Sequence, residues 1–269
     1  MGFASILYSL EMGAVVVLGA VFFSVVCIFA VRRFRSPEVL KENNEFAGIT
    51  YPVVGLIYGV FLAFMIVIAW QEYSDAEQFV VLEVTHLSEL WRDSEVFDDP
   101  HRSTIQTSLM AYVQAVKDKE WESMGKRCDA DHTAGKAYEA LWESYYRYEP
   151  HGERQKAFYS TSVNQLNDVG RYRRQRIMCS KSELPVIMWV FVIAGGVITM
   201  GLHLLLGIRS IWAQVLISGI IAALISFSIF LVFSLQRPFT GDMSIPNTHY
   251  EDLLKSFKHR AARGPVELG

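Results

Sequence analysis

FAGITYPVVGLIYGVFLAFMIVIAW, residues 46–70, decides the fold of this chain. These 25 residues include no Asp, Glu, Lys or Arg. As a helix rising about 1.5 Å per residue, the run is about 37 Å long, enough to cross a bilayer core of about 30 Å. A charge at the bilayer centre costs about 2.5–3.5 kcal/mol on insertion scales, so the absence of charge has physical meaning. Three further runs share the property: Met12–Val31, Leu184–Leu206 and Ile211–Leu235. The pattern predicts an all-α membrane protein with four transmembrane helices in two antiparallel pairs. A helical extramembrane domain is inserted between spans 2 and 3. The expected divisions are 1–70 for the first pair, 71–183 for the domain, 184–235 for the second pair and 236–269 for a tail.

The remaining composition narrows the class. The 269 residues carry a formal net charge of −3, which gives no electrostatic case for nucleic-acid binding. The three cysteines are Cys27, Cys128 and Cys179. Cys27 lies in an apolar run, so at most one internal disulfide is available, and a reducing compartment is favoured for the middle region. No Lys or Arg precedes the first run, and Arg32, Arg33 and Arg35 follow it, as beside a retained span rather than a cleaved signal.

Helical spacing continues through the middle region. Phe79, Leu82, His86, Leu87, Leu90 and Trp91 form one stripe, with no breaker between them and the second span. Asp99-Pro100 reads as an N-cap followed by proline at the first helical position. Ile105, Leu109, Tyr112, Val113 and Val116 form a second stripe; Ala134, Tyr138, Leu141, Trp142 and Tyr145 a third; Phe158, Val163, Leu166, Val169 and Ile177 a fourth. Ser182 is placed to cap the third span, and a brief helix is expected near 250–258. Short connections at 32–45 and 207–210 put both termini and the middle region on one side of the membrane. Charge does not say which side. Arg32, Arg33, Arg35, Lys41 and Arg209 flank one face, against Arg171, Arg173, Arg174, Arg176, Lys181 and Arg237 on the other.

Residues suited to catalysis are few. There is no Gly-rich phosphate loop, nucleophile elbow or Cys-x-x-Cys, and the reading is of a non-enzyme with no cofactor and no bound metal. Glu83-Val84-Thr85-His86 matches half of a helical di-metal motif, but no second copy exists, although Glu139 and Glu143 lie on another helix. A polar helix edge explains it more simply. His203, inside the third span, is either an intramembrane functional group or a histidine bonded to a neighbouring helix. Arg171, Arg173, Arg174 and Arg176 suit either anion or lipid head-group contact, or a plain interface anchor. Trp70, Tyr73, Trp189 and Trp212 read as an aromatic belt.

The second span carries the strongest pattern. Gly48, Pro52, Gly55, Gly59 and Ala63 follow one side, a small face that lets helices approach closely. Ile57, Phe61, Phe64 and Ile68 cluster on the opposite face at about 100° per residue. Around a symmetry axis that bulky face would form a hydrophobic constriction of the kind that gates by dewetting. Facing lipid, it would be an ordinary membrane surface.

The chain resembles the bestrophin-like family of bacterial membrane proteins, relatives of the bestrophin channels. The cues are Asn43-Asn44-Glu45-Phe46-Ala47-Gly48, then Trp70-Gln71-Glu72-Tyr73 leading to Ala76, Val80 and Glu83. Arg173-Arg174 before Leu184-Pro185 and Trp189 is a third cue, and Arg237-Pro238-Phe239-Thr240-Gly241-Asp242 after the last span is a fourth. Two shorter echoes of true bestrophins are the Tyr and Ala beyond the second span and the Pro-Phe segment. In that segment Thr240 is inserted and no acidic run follows, so the calcium clasp of animal bestrophins is not supported. The resemblance implies a homo-pentamer in the bacterial inner membrane, with the second span around a central pore. It also implies a cytosolic middle domain and cytosolic termini, and it maps the neck onto Ile57, Phe61 and Phe64. The function expected is a passive, oligomeric channel for permeant ions, anions among them. The alternatives are a membrane-anchored scaffold or sensor that binds a soluble partner through its middle domain, and a metal protein built on Glu83 and His86.

Overall fold

The computed structural model describes residues 10–34, 44–126 and 132–263. Arg35, Lys41, Asn43 and Cys128 lie outside the described residues. The elements are α1 (Leu10–Phe34), α2 (Asn44–Ser94), α3 (His101–Ala115), a π-helical turn (Val116–Glu120), α4 (Trp121–Lys126), α5 (His132–Tyr146), α6 (Gly152–Lys181), α7 (Val186–Leu204), α8 (Ile211–Leu235) and α9 (Thr248–Arg263). No strand occurs among the described residues. Helices α1, α2, α7 and α8 are long and apolar enough to cross a membrane. Helix α2 is unbroken over 51 residues even though Pro52 lies inside it.

The chain divides into two compact units. The first comprises Met1–Glu72, Glu183–Arg237 and Gly241–Met243, and the second Tyr73–Ser182, Pro238–Thr240 and Ser244–Gly269. In the first unit, packing follows small residues, as it must where lipid removes the hydrophobic drive between helices. Gly13 admits the ring of Phe230 so closely that a Cβ there would clash, and Gly219 sits against Val21. Arg32 Nε donates to Gln214 Oε1 at 2.9 Å. Positions rising along α1 thus meet positions falling along α8, so these two spans run antiparallel. The same logic pairs α2 with α7. Tyr51 meets His203 with ring centroids 5.7 Å apart. Tyr58 lies on Gly195 and Gly196, and Phe61 meets Phe191 at 4.1 Å.

The turn after α7 is held by side chains from other spans. Asn44 Oδ1 accepts from Gly207 N at 2.7 Å, and Asn44 Nδ2 donates to Gly207 O at 3.3 Å. Gln214 Nε2 donates to Leu206 O at 3.4 Å, and Arg32 also reaches Ile208 O. Backbone groups near lipid need such partners, because each unsatisfied one costs several kcal/mol. Two helix ends differ from the sequence reading. The capping position before α3 is Pro100, with no side-chain cap, while Asp99 pairs with Arg102 instead. Ser182 closes α6 through its N–H to Cys179 O, and Pro185 occupies the capping position of α7.

The second unit has its own hydrophobic core. Trp91 stacks on Phe257 at 4.4 Å, and Ile105, Leu109, Tyr145, Leu166 and Val169 fill the interior. Phe239 packs edge-on against Trp121 at 5.2 Å, and Thr240 Oγ1 donates to Gly125 O at 2.8 Å. In the first unit, Asp242 Oδ2 accepts from Leu10 N at 3.1 Å, satisfying an amide at the start of α1.

Candidate functional site

The membrane part of α2 packs inside the first unit mainly through one stripe. Ala47, Tyr58, Leu62, Met65 and Ala69 are buried and recur at helical spacing. The small face lies on one flank of that stripe. A Cβ placed at Gly48, Gly55 or Gly59 would meet nothing within 4 Å, and Pro52 and Ala63 are exposed. The bulky face lies on the other flank. Ile57, Phe64 and Ile68 are exposed, Phe64 to 64%. Phe61 is half-buried because its ring rests on Phe191. Between the two flanks runs a ridge that sequence reasoning passed over: Ile49, Val53, Leu56, Val60 and Val67, all exposed. The signal for it was the position of Tyr58, Leu62 and Met65, since the ridge lies about 180° from them at 100° per residue.

The arginine cluster on α6 is split by the fold. Arg171 is exposed, reaches Asp168 at 3.1 Å and lies over the Tyr172 ring at 4.7 Å. Arg174 is also exposed. Arg173 and Arg176 turn inward, so anion or lipid contact by Arg176 is replaced by pairing inside the unit. Arg176 is completely buried. Its Nε donates to Glu83 Oε2 at 2.9 Å and its Nη2 to Glu120 Oε1 at 2.7 Å. Arg173 Nε donates to Glu120 Oε2 at 3.1 Å. Tyr112 donates to Glu83 Oε1 at 2.7 Å, and the Tyr250 ring lies 5.6 Å from the Arg176 guanidinium. Burial acts against the charge of Arg176, but the surrounding carboxylates, Glu83 foremost, outweigh it and hold its pKa well above the ordinary arginine value. Burial also raises Tyr112 and Tyr250 far above the usual phenol range, so both stay neutral. Two carboxylates and two guanidiniums leave no net charge in this interior.

The half-motif at 83–86 is taken apart in the same way. Glu83 belongs to the buried network, not to a polar edge. His86 stacks on Tyr172 at 5.5 Å and contacts Glu89 at 3.1 Å. Glu139 is exposed and Glu143 pairs with Arg147. Among the described residues no group of three or more His, Cys, Asp or Glu is arranged to hold a metal. His203 is buried, and neither ring nitrogen finds a hydrogen-bond partner; the expected bond to a neighbouring helix is replaced by ring contact with Tyr51. Trp212 is exposed, while Trp189 meets Phe233 edge-on at 6.3 Å.

Comparison with known proteins places this architecture. No curated protein matches the chain. Its fold is similar to solved structures of a bacterial bestrophin homolog from Klebsiella pneumoniae. One, a point mutant, has a TM-score of 0.68 at 13% identity and covers 91% of this chain and 99% of its own. Another, phased on zinc, has a TM-score of 0.67 at 12% identity and covers 92% and 99%. At such identities the likeness is one of fold. The family model for the Bestrophin-like domain matches residues 18–250, and the chain belongs to the bestrophin-like family.

Proposed function

We propose that the chain forms an oligomeric passive ion channel in which the membrane part of α2 lines a central path. The observation that carries this reading is the free surface of α2. Within the first unit its membrane part packs mainly through the Tyr58–Leu62–Met65 stripe, with Phe61 resting on Phe191, so the small face, the ridge and the rest of the bulky face remain available. Copies arranged around an axis would pack the Gly48, Gly55 and Gly59 face against a neighbour, with Ala63 on the same side. Ile57, Phe61, Phe64 and Ile68 would then narrow the path, and such an apolar ring gates by dewetting. Membership of a family related to channels supports the same reading, as does the fold shared with bacterial bestrophin homologs.

We extend the proposal, by family analogy, to a pentamer in a bacterial inner membrane with the second unit and both ends in the cytosol. Anions are the proposed permeant species, favoured by the exposed charge of Arg174. The scaffold alternative called for an exposed apolar stripe on the middle region. The large apolar residues exposed there, among the described residues, are Val81, Tyr146 and Met178, on three different helices. The test is mass measurement of the purified particle together with halide flux into liposomes. A five-fold particle that conducts supports the reading, and a strictly monomeric, electrically silent protein refutes it.

A further inference from the structure

We propose that the end of α1 and the turn before α8 form a binding site for the phosphodiester head group of an anionic phospholipid. The site is built around Arg32. Its Nε donates to Gln214 Oε1 at 2.9 Å, and its Nη2 donates to Ile208 O. Gln214 is 1% exposed and itself donates to Leu206 O, so the amide that holds Arg32 is fixed in turn. Both acceptors of Arg32 are neutral. Elsewhere in the chain Arg102, Arg173, Arg176 and Arg237, all at least half-buried, each reach a carboxylate. Among the described residues Arg32, Arg33 and Arg209 reach none.

These three charges gather at one end of the first unit. Arg33 follows Arg32 on α1, and Arg209 follows Ile208, whose carbonyl Arg32 grips. Against them the neighbouring start of α2 sets one acid, Glu45. A plain interface anchor stretches its stem toward water and keeps its head group hydrated. Arg32 instead turns its guanidinium onto a backbone carbonyl and a buried amide, half-buried and without a counter-charge. Trp212, 77% exposed in the first turn of α8, is the kind of ring that sits at head-group level. At that depth the anion at hand is the phosphodiester of a lipid. Its oxygens accept from the guanidinium N–H groups that Gln214 and Ile208 leave unused, in charge-assisted bonds of the strong kind. A zwitterionic lipid would bring its own cation against the three arginines, whereas an anionic lipid brings none. The site does not depend on whether α2 conducts ions.

The test titrates the full chain in detergent with phosphatidylglycerol and counts bound lipid by native mass spectrometry. Saturable binding is expected, tighter than that of phosphatidylcholine. Arg209→Gln should weaken half-saturation about fivefold, the roughly 1 kcal/mol carried by one basic residue at an anionic lipid surface. Arg209 is exposed, so this variant probes the site without disturbing the turn that Arg32 supports. Arg32→Lys keeps the charge but loses the planar fork, and should weaken binding as well. Arg154→Gln, which removes an exposed arginine of the second unit, should leave half-saturation unchanged. Equal binding of the two lipids would overturn the proposal, as would half-saturation unchanged by Arg209→Gln or by Arg32→Lys. An equal loss in Arg154→Gln would mean general attraction to a basic surface and would overturn it too. Inorganic phosphate separates the two sources of the same chemistry. Excess phosphate should leave the lipid bound, and its complete displacement would make the occupant a free anion and refute the lipid assignment.

Discussion

Replacing Arg176 with methionine tests whether the second unit depends on its buried ion network. The guanidinium is fully buried and bonded to Glu83 and Glu120. Methionine roughly keeps the volume but removes the charge. The interior then holds two carboxylates against Arg173 alone, an excess of one negative charge. Breaking a buried pair on one side costs about 3–5 kcal/mol, most of it the penalty for the stranded charge. At about 3 °C per kcal/mol for a chain of this size, the apparent Tm should fall by about 10–15 °C. Adding Glu83→Gln to Arg176→Met restores charge balance between Glu120 and Arg173. The double variant should therefore melt above the single one, and with Glu83→Gln alone destabilising, that order is an interaction that additive effects cannot produce. The assay is far-UV circular dichroism of the full chain in detergent, at one scan rate for all variants. A loss under about 1 kcal/mol for Arg176→Met, together with a double variant less stable than the single, would refute the reasoning, because solvent would then be reaching the site.

Other expectations follow from single contacts. Phe64→Ala should raise halide flux in liposomes, since Phe64 is exposed on the bulky face whereas Phe61 also supports Phe191; unchanged flux in a conducting wild type would remove Phe64 from the constriction. A Cβ at Gly59 meets no atom within 4 Å in the single chain, so Gly59→Leu should leave the melting temperature nearly unchanged yet disrupt the oligomer by mass measurement. An intact oligomer would move the contact face elsewhere. Burial raises the Asp93 carboxyl, and the hydrogen bond from Ser162 only partly counters this. The folded state therefore binds the proton more tightly than the unfolded state. The stability tied to Asp93 falls as pH rises from the ordinary aspartate range through the raised value. Asp93→Asn removes that dependence, so its melting temperature should gain on the wild type over the interval in which pH climbs above the ordinary aspartate range. A variant that loses ground over that interval would contradict the sign.

The four spans were legible because bilayer crossing imposes one simple rule, a long run without charge. Their partners were less so. Short loops suggest that neighbours in sequence pair, and α7 meets α8 through Trp189 and Phe233, but side-chain contacts also join Gly13 to Phe230 and Tyr58 to Gly195. Those contacts follow where a glycine opposes a large ring, and a single run does not reveal which ring will fill which gap. On α2 the two faces of the candidate pore helix could be read from spacing. The stripe between them could not, because Tyr58, Leu62 and Met65 are no more apolar than the residues around them. In a membrane helix, hydrophobicity stops distinguishing core from surface.

The buried network was missed for the opposite reason, and its signal was present. On α2 the interior positions are Ala76, Val80, Glu83, Leu87 and Leu90. The sequence reading followed the larger side chains Phe79, Leu82 and His86, which the structure leaves half-buried. Glu83 occupies a core position in the true register. On α6, Arg176 follows Ser162, Leu166 and Val169 at the same spacing, and Glu120 follows Leu109, Val113 and Val116 through the π-helical turn. One charge at a core position argues against a register. Two acids and two bases at core positions of three helices argue for it, because each resolves the others' burial cost. Hydrophobic periodicity scores every such residue as an error, while electrostatic complementarity between helices counts them as mutual support. The arginines that looked like a surface for anions are therefore divided by register. Arg173 and Arg176 belong to the interior, and only Arg171 and Arg174 are left to act on anything outside the chain.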